Sequence, residues 1–206
     1  MLKIPNSGYR CVVGKGVDCE MFKPLIIKKM KFNFRELDAE IRQLMQIEFD
    51  FDVTSELLYN SKRFSAYGIE KYPDFFKQSI TNGDEETLAT ALTIECFNEY
   101  EDRNSKNGVI SVKVPVTANV TFAEGEFNRF YIRAICRKAI ANNEFVTAYR
   151  ARNSEKPRTG SEELLGKLIN PTDVLNDLRK NIGIDTALGL PNGPNSGLSI
   201  ERIIIK

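Results

Sequence analysis

The chain predicts an α+β fold, with a helical, acidic N-terminal lobe followed by a small mixed sheet packed with helices. Three observations carry this. Apolar residues recur at helical spacing through 34–49, 85–101 and 126–141. From residue 109 the period changes to two, with Ile110, Val112, Val114 and Val116 alternating with Ser111, Lys113 and Pro115. Between the two patterns, Asn104 to Gly108 is a polar break. It divides the chain into 1–104, mainly helical with an extended N-terminal arm, and 105–206, an α+β lobe with a small sheet and a C-terminal strand.

Residues 1–30 read as extended, with Cys11-Val12-Val13 and Leu25-Ile26-Ile27 as strand-like runs and Gly14-Lys15-Gly16 as a tight turn. Asn33 followed by Glu36 has the form of a helix start. Phe34, Leu37, Ile41, Leu44 and Ile47 then predict a helix over 34–49. Thr54 is a cap for a short piece over 55–59. Pro73 suits the first turn of a helix through Phe75, Phe76 and Ile80, which Asn82-Gly83 ends. Asp84 caps a long helix over 85–101 with Ala89, Leu92, Cys96, Phe97 and Tyr100 on one face.

After the strand at 109–116, Val120 and Phe122 read as a second extended piece. The helix over 126–141 ends at Asn142-Asn143, and 144–150 reads as a strand with Phe145, Thr147 and Tyr149 on one side. Thr159 with Glu162 has capping-box spacing for a short helix through Leu164 and Leu165. Asn170-Pro171 opens another helix carrying Val174, Leu175 and Leu178, which Gly183 closes. GLPNGPNSG at 189–197 is a turn-forming loop that could also cradle an anion. Residues 198–205 read as the last strand, and 109–116, 144–150 and 198–205 are expected to share one sheet under the 126–141 helix.

Composition bounds the function classes. The 206 residues are 42% hydrophobic and 28% charged with a net charge of +1, so the chain is globular in character and charge alone forces no nucleic-acid-coating role. Charge is nevertheless segregated, at +6 over 1–35, −11 over 36–102 and +6 over 103–206. The economical reading is that these blocks face each other, within one chain or between subunits. The N-terminus lacks the apolar run of a secretory signal, and no stretch approaches the roughly 20 apolar residues that span a bilayer. The expectation is a cytoplasmic protein, or one assembled into a particle made there, without a membrane partner.

The chain contains no histidine. Ser-His-Asp and Cys-His relays are therefore impossible within it, as are histidine-ligated zinc, haem and non-haem iron. Cys11, Cys19, Cys96 and Cys136 form no C-x-x-C pair, and the last two read as buried free thiols. Asp50 with Asp52, and Glu95, Glu99 and Asp102 at helical spacing, are carboxylate groupings that could hold a divalent cation. Capping and a solvated acidic face are the plainer readings, so no metal or other cofactor is expected.

The most ordered polar feature is a stripe of Arg129, Arg133 and Arg137 at i, i+4, i+8, preceded by Asn128 and followed by Lys138. Arg150, Arg152, Lys156 and Arg158 follow the next strand. The nine residues are the candidate site, as a polyanion or interface patch. Three readings are open. The stripe pairs with acidic surfaces of the chain or of another subunit, or it binds a polyanion, or it clamps a substrate phosphate or carboxylate. Asn128-Arg129, taken as the start of its helix, is the leading position for an anion.

With no catalytic constellation, the expected function is a non-catalytic structural protein that self-associates or docks in a larger complex, such as a phage virion. The alternative is an accessory protein that binds nucleic acid through the arginine patch.

Overall fold

The structure, a computed structural model, describes residues 31–106, 108–152, 162–182 and 197–204. The readings of the arm over 1–30, of the Thr159 cap, of Gly183 and of loop positions 189–196 lie outside these residues.

Residues 31–38 form a non-helical strap, extended over 31–34 and turning at 35–36, not the start of a helix. Phe32 N–H donates to Glu85 at 2.9 Å, Asn33 N–H to the Ala151 carbonyl at 2.8 Å, and the Tyr149 hydroxyl to the Asn33 carbonyl at 2.7 Å. Asn33 is thus committed to strand-like bonding, and the N-cap falls to Asp38, which accepts from the Ile41 N–H. Helix α1 follows at Ala39–Thr54 and buries Ile41, Met45, Glu48, Phe49 and Asp52. Ile47 is left outside, at 47% exposure. The short helix expected after Thr54 is absent. Glu56 adopts a positive φ of 57°, which breaks the helical path.

Helix α2 (Ala66–Asn82) is capped by Ser65 and ended at Gly83. Pro73 lies in its interior, not its first turn, and the helix buries Tyr72, Phe76, Ser79 and Ile80. Helix α3 (Glu85–Ala91) begins with a reciprocal Asp84–Thr87 capping box. It stops well short of residue 101. Ser65 N–H donates to the Cys96 carbonyl, Asn98 N–H to the Arg63 carbonyl, and the Asn98 side chain to the Phe64 carbonyl. This strand-like pairing with 63–65 overrides the helical pattern. Only a 3-10 turn at Ile94–Cys96 remains of it, and the chain then enters strand β1 (Tyr100–Ser105).

Strand β2 (Gly108–Lys113) pairs antiparallel with β1 as a two-stranded sheet of its own, so it is not a member of the sheet it was expected to join. Within the polar break, Asn104 and Ser105 end β1 and Gly108 opens β2 with a φ of 113° that a side chain would oppose.

Helix α4 (Ala118–Ala141) absorbs Val120 and Phe122 and, at 24 residues, is the spine of the fold. It packs against α1, α3, strand β5 (Leu198–Ile203) and a final helix α5 (Pro171–Lys180). The second sheet places β3 (Phe145–Arg150) between the short β4 (Leu168–Ile169) and β5, with antiparallel pairing between named strands and a lone parallel bridge from Ala148 to Leu165. The architecture is α+β.

One hydrophobic cluster joins residues from both sides of the hairpin. Phe49, Phe64, Tyr72 and Phe76 from the first half meet Phe122, Phe127, Phe130, Val146 and Ile200 from the second. The Phe49 and Phe76 rings stack at 4.9 Å, with Phe130 against both. Among the described residues, no helix is long and apolar enough to cross a membrane.

Candidate functional site

The arginine stripe lies on α4, opposite the inward face of α1. Because α4 begins at Ala118, Asn128 and Arg129 are mid-helix and do not stand at its N-terminus. The α1 face is apolar at Ile41, Met45 and Phe49, and carries Glu48 and Asp52 at i, i+4. Arg133 and Arg137 have the same spacing on α4, so the two pairs come into register.

Arg133 is fully buried, as is Glu48. Its Nε donates to Glu48 Oε2 at 2.9 Å. Its two terminal nitrogens donate to Asp52 Oδ2 at 2.6 Å and Oδ1 at 2.8 Å, a bidentate grip. The guanidinium also stacks 4.8 Å from the Phe130 ring centre. Arg137 donates to Glu48 Oε1 at 2.8 Å, and Arg179 of α5 donates to both Glu48 oxygens at 3.0 and 2.5 Å. Glu48 is therefore shared among three arginines on two helices. Burial alone would push its carboxyl up. The hydrogen bonds from Arg179 and Arg137, then the charge of Arg133, outweigh this and hold it at about 2. Burial likewise opposes the charge on Arg133, but Asp52 and Glu48 keep it protonated, above its ordinary value. Glu48 is thus ionised and saturated with donors, an arrangement that offers no proton-accepting base at neutral pH.

The other stripe members face different neighbours. The Asn128 side chain donates to the Leu198 carbonyl of β5 at 2.8 Å. Arg129 is buried and donates to the Leu178 carbonyl and, at 2.7 Å, to the Asn181 carbonyl, so it closes the C-terminal end of α5. Lys138 pairs with Glu40 at 2.9 Å and Asp38 at 3.8 Å at the start of α1. Arg150 is half-buried at the end of β3. Arg152 pairs with Glu124 at 2.6 Å and lies over the Phe32 ring. Lys156 and Arg158 lie outside the described residues. The five α4 residues thus turn toward α1, α5 and β5, and do not line one exposed face.

The carboxylate groupings are also rearranged. Asp52 is buried on Arg133, while Asp50 bonds Gln46 at 3.0 Å and Lys77 at 3.0 Å. Glu95, Glu99 and Asp102 share no helix edge, because the first lies in the 3-10 turn and the last in β1. No group of three or more His, Cys, Asp or Glu residues that could hold a metal ion occurs among the described residues. Cys96 and Cys136 are buried free thiols, and burial pushes Cys136 well above the usual thiol range.

Sequence reasoning paired Asp52 with Asp50 and left out Glu48 and Arg179. The signal was present. Glu48 and Asp52 continue the Ile41, Met45 stripe at i+3 and i+4 steps, which is the inward face of α1. Comparison with protein-family models, with curated proteins and with solved structures returns no match.

Proposed function

We propose that the chain is a non-catalytic assembly protein that works by self-association or by docking in a larger complex, of which a phage virion is one example. The observation that carries this reading is the β1–β2 hairpin. It joins no other strand among the described residues, and it leaves Val109, Ile110 and Tyr100 at 67%, 47% and 54% exposure. A two-stranded hairpin is marginal in water by itself. Val109 and Tyr100 lie on one face and Ile110 on the other, and exposed apolar side chains on such a hairpin favour a partner that covers them.

The charge distribution supports the same reading. The acidic block over 36–102 meets the basic block over 103–206 through Glu36–Arg202, Glu48–Arg133, Asp52–Arg133 and Glu40–Lys138. The arginine stripe has partners inside the chain, which leaves it less to offer a polyanion.

The test is native mass by size exclusion with light scattering, before and after nuclease, with the 260/280 nm absorbance ratio recorded. A discrete multimer with a protein-like ratio, unchanged by nuclease, is expected. A monomer that carries nucleic acid until nuclease or high salt removes it would overturn the reading. It would favour an accessory role in nucleic-acid binding, whose steep salt dependence follows from counterion release.

A further inference from the structure

Among the described residues the hairpin has two open edges, and they differ in what they can accept. Antiparallel strands alternate between hydrogen-bonded and non-hydrogen-bonded residue pairs. Val114 N–H donates to the Glu99 carbonyl at 2.9 Å, which fixes the phase. With the observed register, Glu101–Val112, Arg103–Ile110 and Ser105–Gly108 are then the bonded pairs. The backbone groups of Val109, Ser111 and Lys113 point away from β1, and those of Tyr100, Asp102 and Asn104 point away from β2.

The outer edge of β1 is charged at its centre. A two-fold axis at Glu101, Asp102 or Arg103 sets that one residue against its own copy, a like-charged contact that is destabilising, although an axis at Asp102 also opposes Glu101 with Arg103 of the partner subunit. The outer edge of β2 carries no charge from Val109 to Val112. Its one charged residue, Lys113, stands at the end of the strand, so the stretch from Val109 to Val112 has no charged or proline gatekeeper of its own. An axis at Ser111 sets Ser111 against Ser111 of the partner subunit, Ile110 against Val112 of the partner subunit, and Val109 against Lys113 of the partner subunit. No like charges meet, two apolar Ile–Val pairs form on one face, and Gly108, with its positive φ, stays outside the paired stretch.

Resting on the assembly reading, we propose that β2 pairs antiparallel with β2 of a second copy of this chain about a two-fold axis at Ser111, making a continuous four-stranded sheet. The partner is thus an identical chain and the interface is isologous. Five residue pairs bury less than the ~1,200 Å² at which stable interfaces begin, so the association is concentration-dependent.

The experiment uses the full chain with Cys11→Ser and Cys19→Ser, which leaves only the buried Cys96 and Cys136. Ser111→Cys, Ile110→Cys and Val109→Cys are added singly and exposed to a mild oxidant. Opposed residues of a hydrogen-bonded pair have Cα atoms ~5.5 Å apart, within disulfide reach. Ser111→Cys is expected to give a covalent dimer on a non-reducing gel, while Val109→Cys is not. Dimer from Ile110→Cys with none from Ser111→Cys overturns the register.

In parallel, Ser111→Pro removes an N–H that the hairpin does not use, and Ile110→Lys charges the new seam. Both are expected to hold the mass at the 23.4 kDa monomer across a concentration series in which the unmodified chain rises toward twice that value. Far-UV circular dichroism confirms that each variant is folded. A multimer whose mass ignores both substitutions overturns this inference and leaves the assembly reading standing. An unmodified chain that stays monomeric throughout the series overturns the inference, and if it also carries nucleic acid the assembly reading falls with it.

Discussion

Replacing Arg133 with Met tests the reading of the arginine stripe as internal scaffolding. Methionine keeps much of the length and apolar volume but removes the charge and every donor. Arg133 has no exposure, and two of its charge-assisted bonds serve Asp52. Glu48 retains Arg137 and Arg179 after the change, so its loss is partial. Asp52 is left as a buried carboxylate without a counter-ion. Breaking a buried pair from one side costs about 3–5 kcal/mol. Against a total stability of about 5–15 kcal/mol, that is a large fraction. The assay is urea unfolding followed by far-UV circular dichroism, with Arg137→Met as the comparison. Arg137 keeps 35% of its side-chain surface exposed, so its loss should cost about 1 kcal/mol or less. Adding Asp52→Asn to Arg133→Met should recover part of the loss, because the orphaned group is then neutral. If Arg133→Met costs no more than Arg137→Met, Arg133 is not buried against Asp52 and the account of this cluster is wrong.

The same cluster predicts acid sensitivity. Glu48 is held at about 2 against an ordinary 4.5, so the unfolded chain binds the proton first as pH falls. Its contribution, roughly 3 kcal/mol at 1.36 kcal/mol per pH unit, is complete above about 4.5 and lost as pH approaches about 2. Glu48→Gln should flatten this dependence in pH-resolved unfolding, and an unchanged acid slope would count against it. Gly68→Ala should destabilise by ~3 kcal/mol in thermal or urea unfolding, since its Cβ would come within 2.1 Å of the Cys96 carbonyl oxygen. In the Cys11→Ser, Cys19→Ser chain, a thiol reagent should titrate Cys96 and Cys136 only after unfolding, because both are buried. Rapid reaction of either thiol in the native state would contradict that burial.

Much of the fold was legible because local signals agreed with their surroundings. The 171–180 helix follows its Asn170 cap and Pro171 start, and β3 and β5 follow their apolar runs. The errors fall where a long-range partner outbid a local pattern. Asn33 has good capping chemistry, but its backbone is committed to Ala151 and Tyr149, more than a hundred residues away. Residues 92–101 have helical spacing, but 96–98 are taken by 63–65 and 100–105 by 108–113. No window of neighbouring residues contains that information. The alternation over 109–116 correctly signalled a strand. It could not say that the strand would pair with its own predecessor, because period two reports which residues share a face and is silent on the neighbour.

The candidate site illustrates the same limit from the side of charge. An i, i+4, i+8 arginine stripe shows that the cations share a helix face, and nothing more. Whether that face meets solvent depends on what else it carries. On α4, Arg129 and Arg133 alternate with Phe130, Ile132, Ala134 and Ile135, all buried, so cations and core residues share the same turns of the helix. A guanidinium carried into such a core needs acceptors to offset its desolvation, backbone carbonyls for Arg129 and a carboxylate pair for Arg133. The Glu48–Asp52 pair on the apolar side of α1 is the latter, at the same i, i+4 spacing. Two oppositely charged i, i+4 pairs, each set within an apolar face, are therefore better read as one internal contact than as two surface features. By the same reasoning the uncharged stretch from Val109 to Val112 on the edge of β2, which has no such partner within the chain among the described residues, is where a second molecule has most to gain.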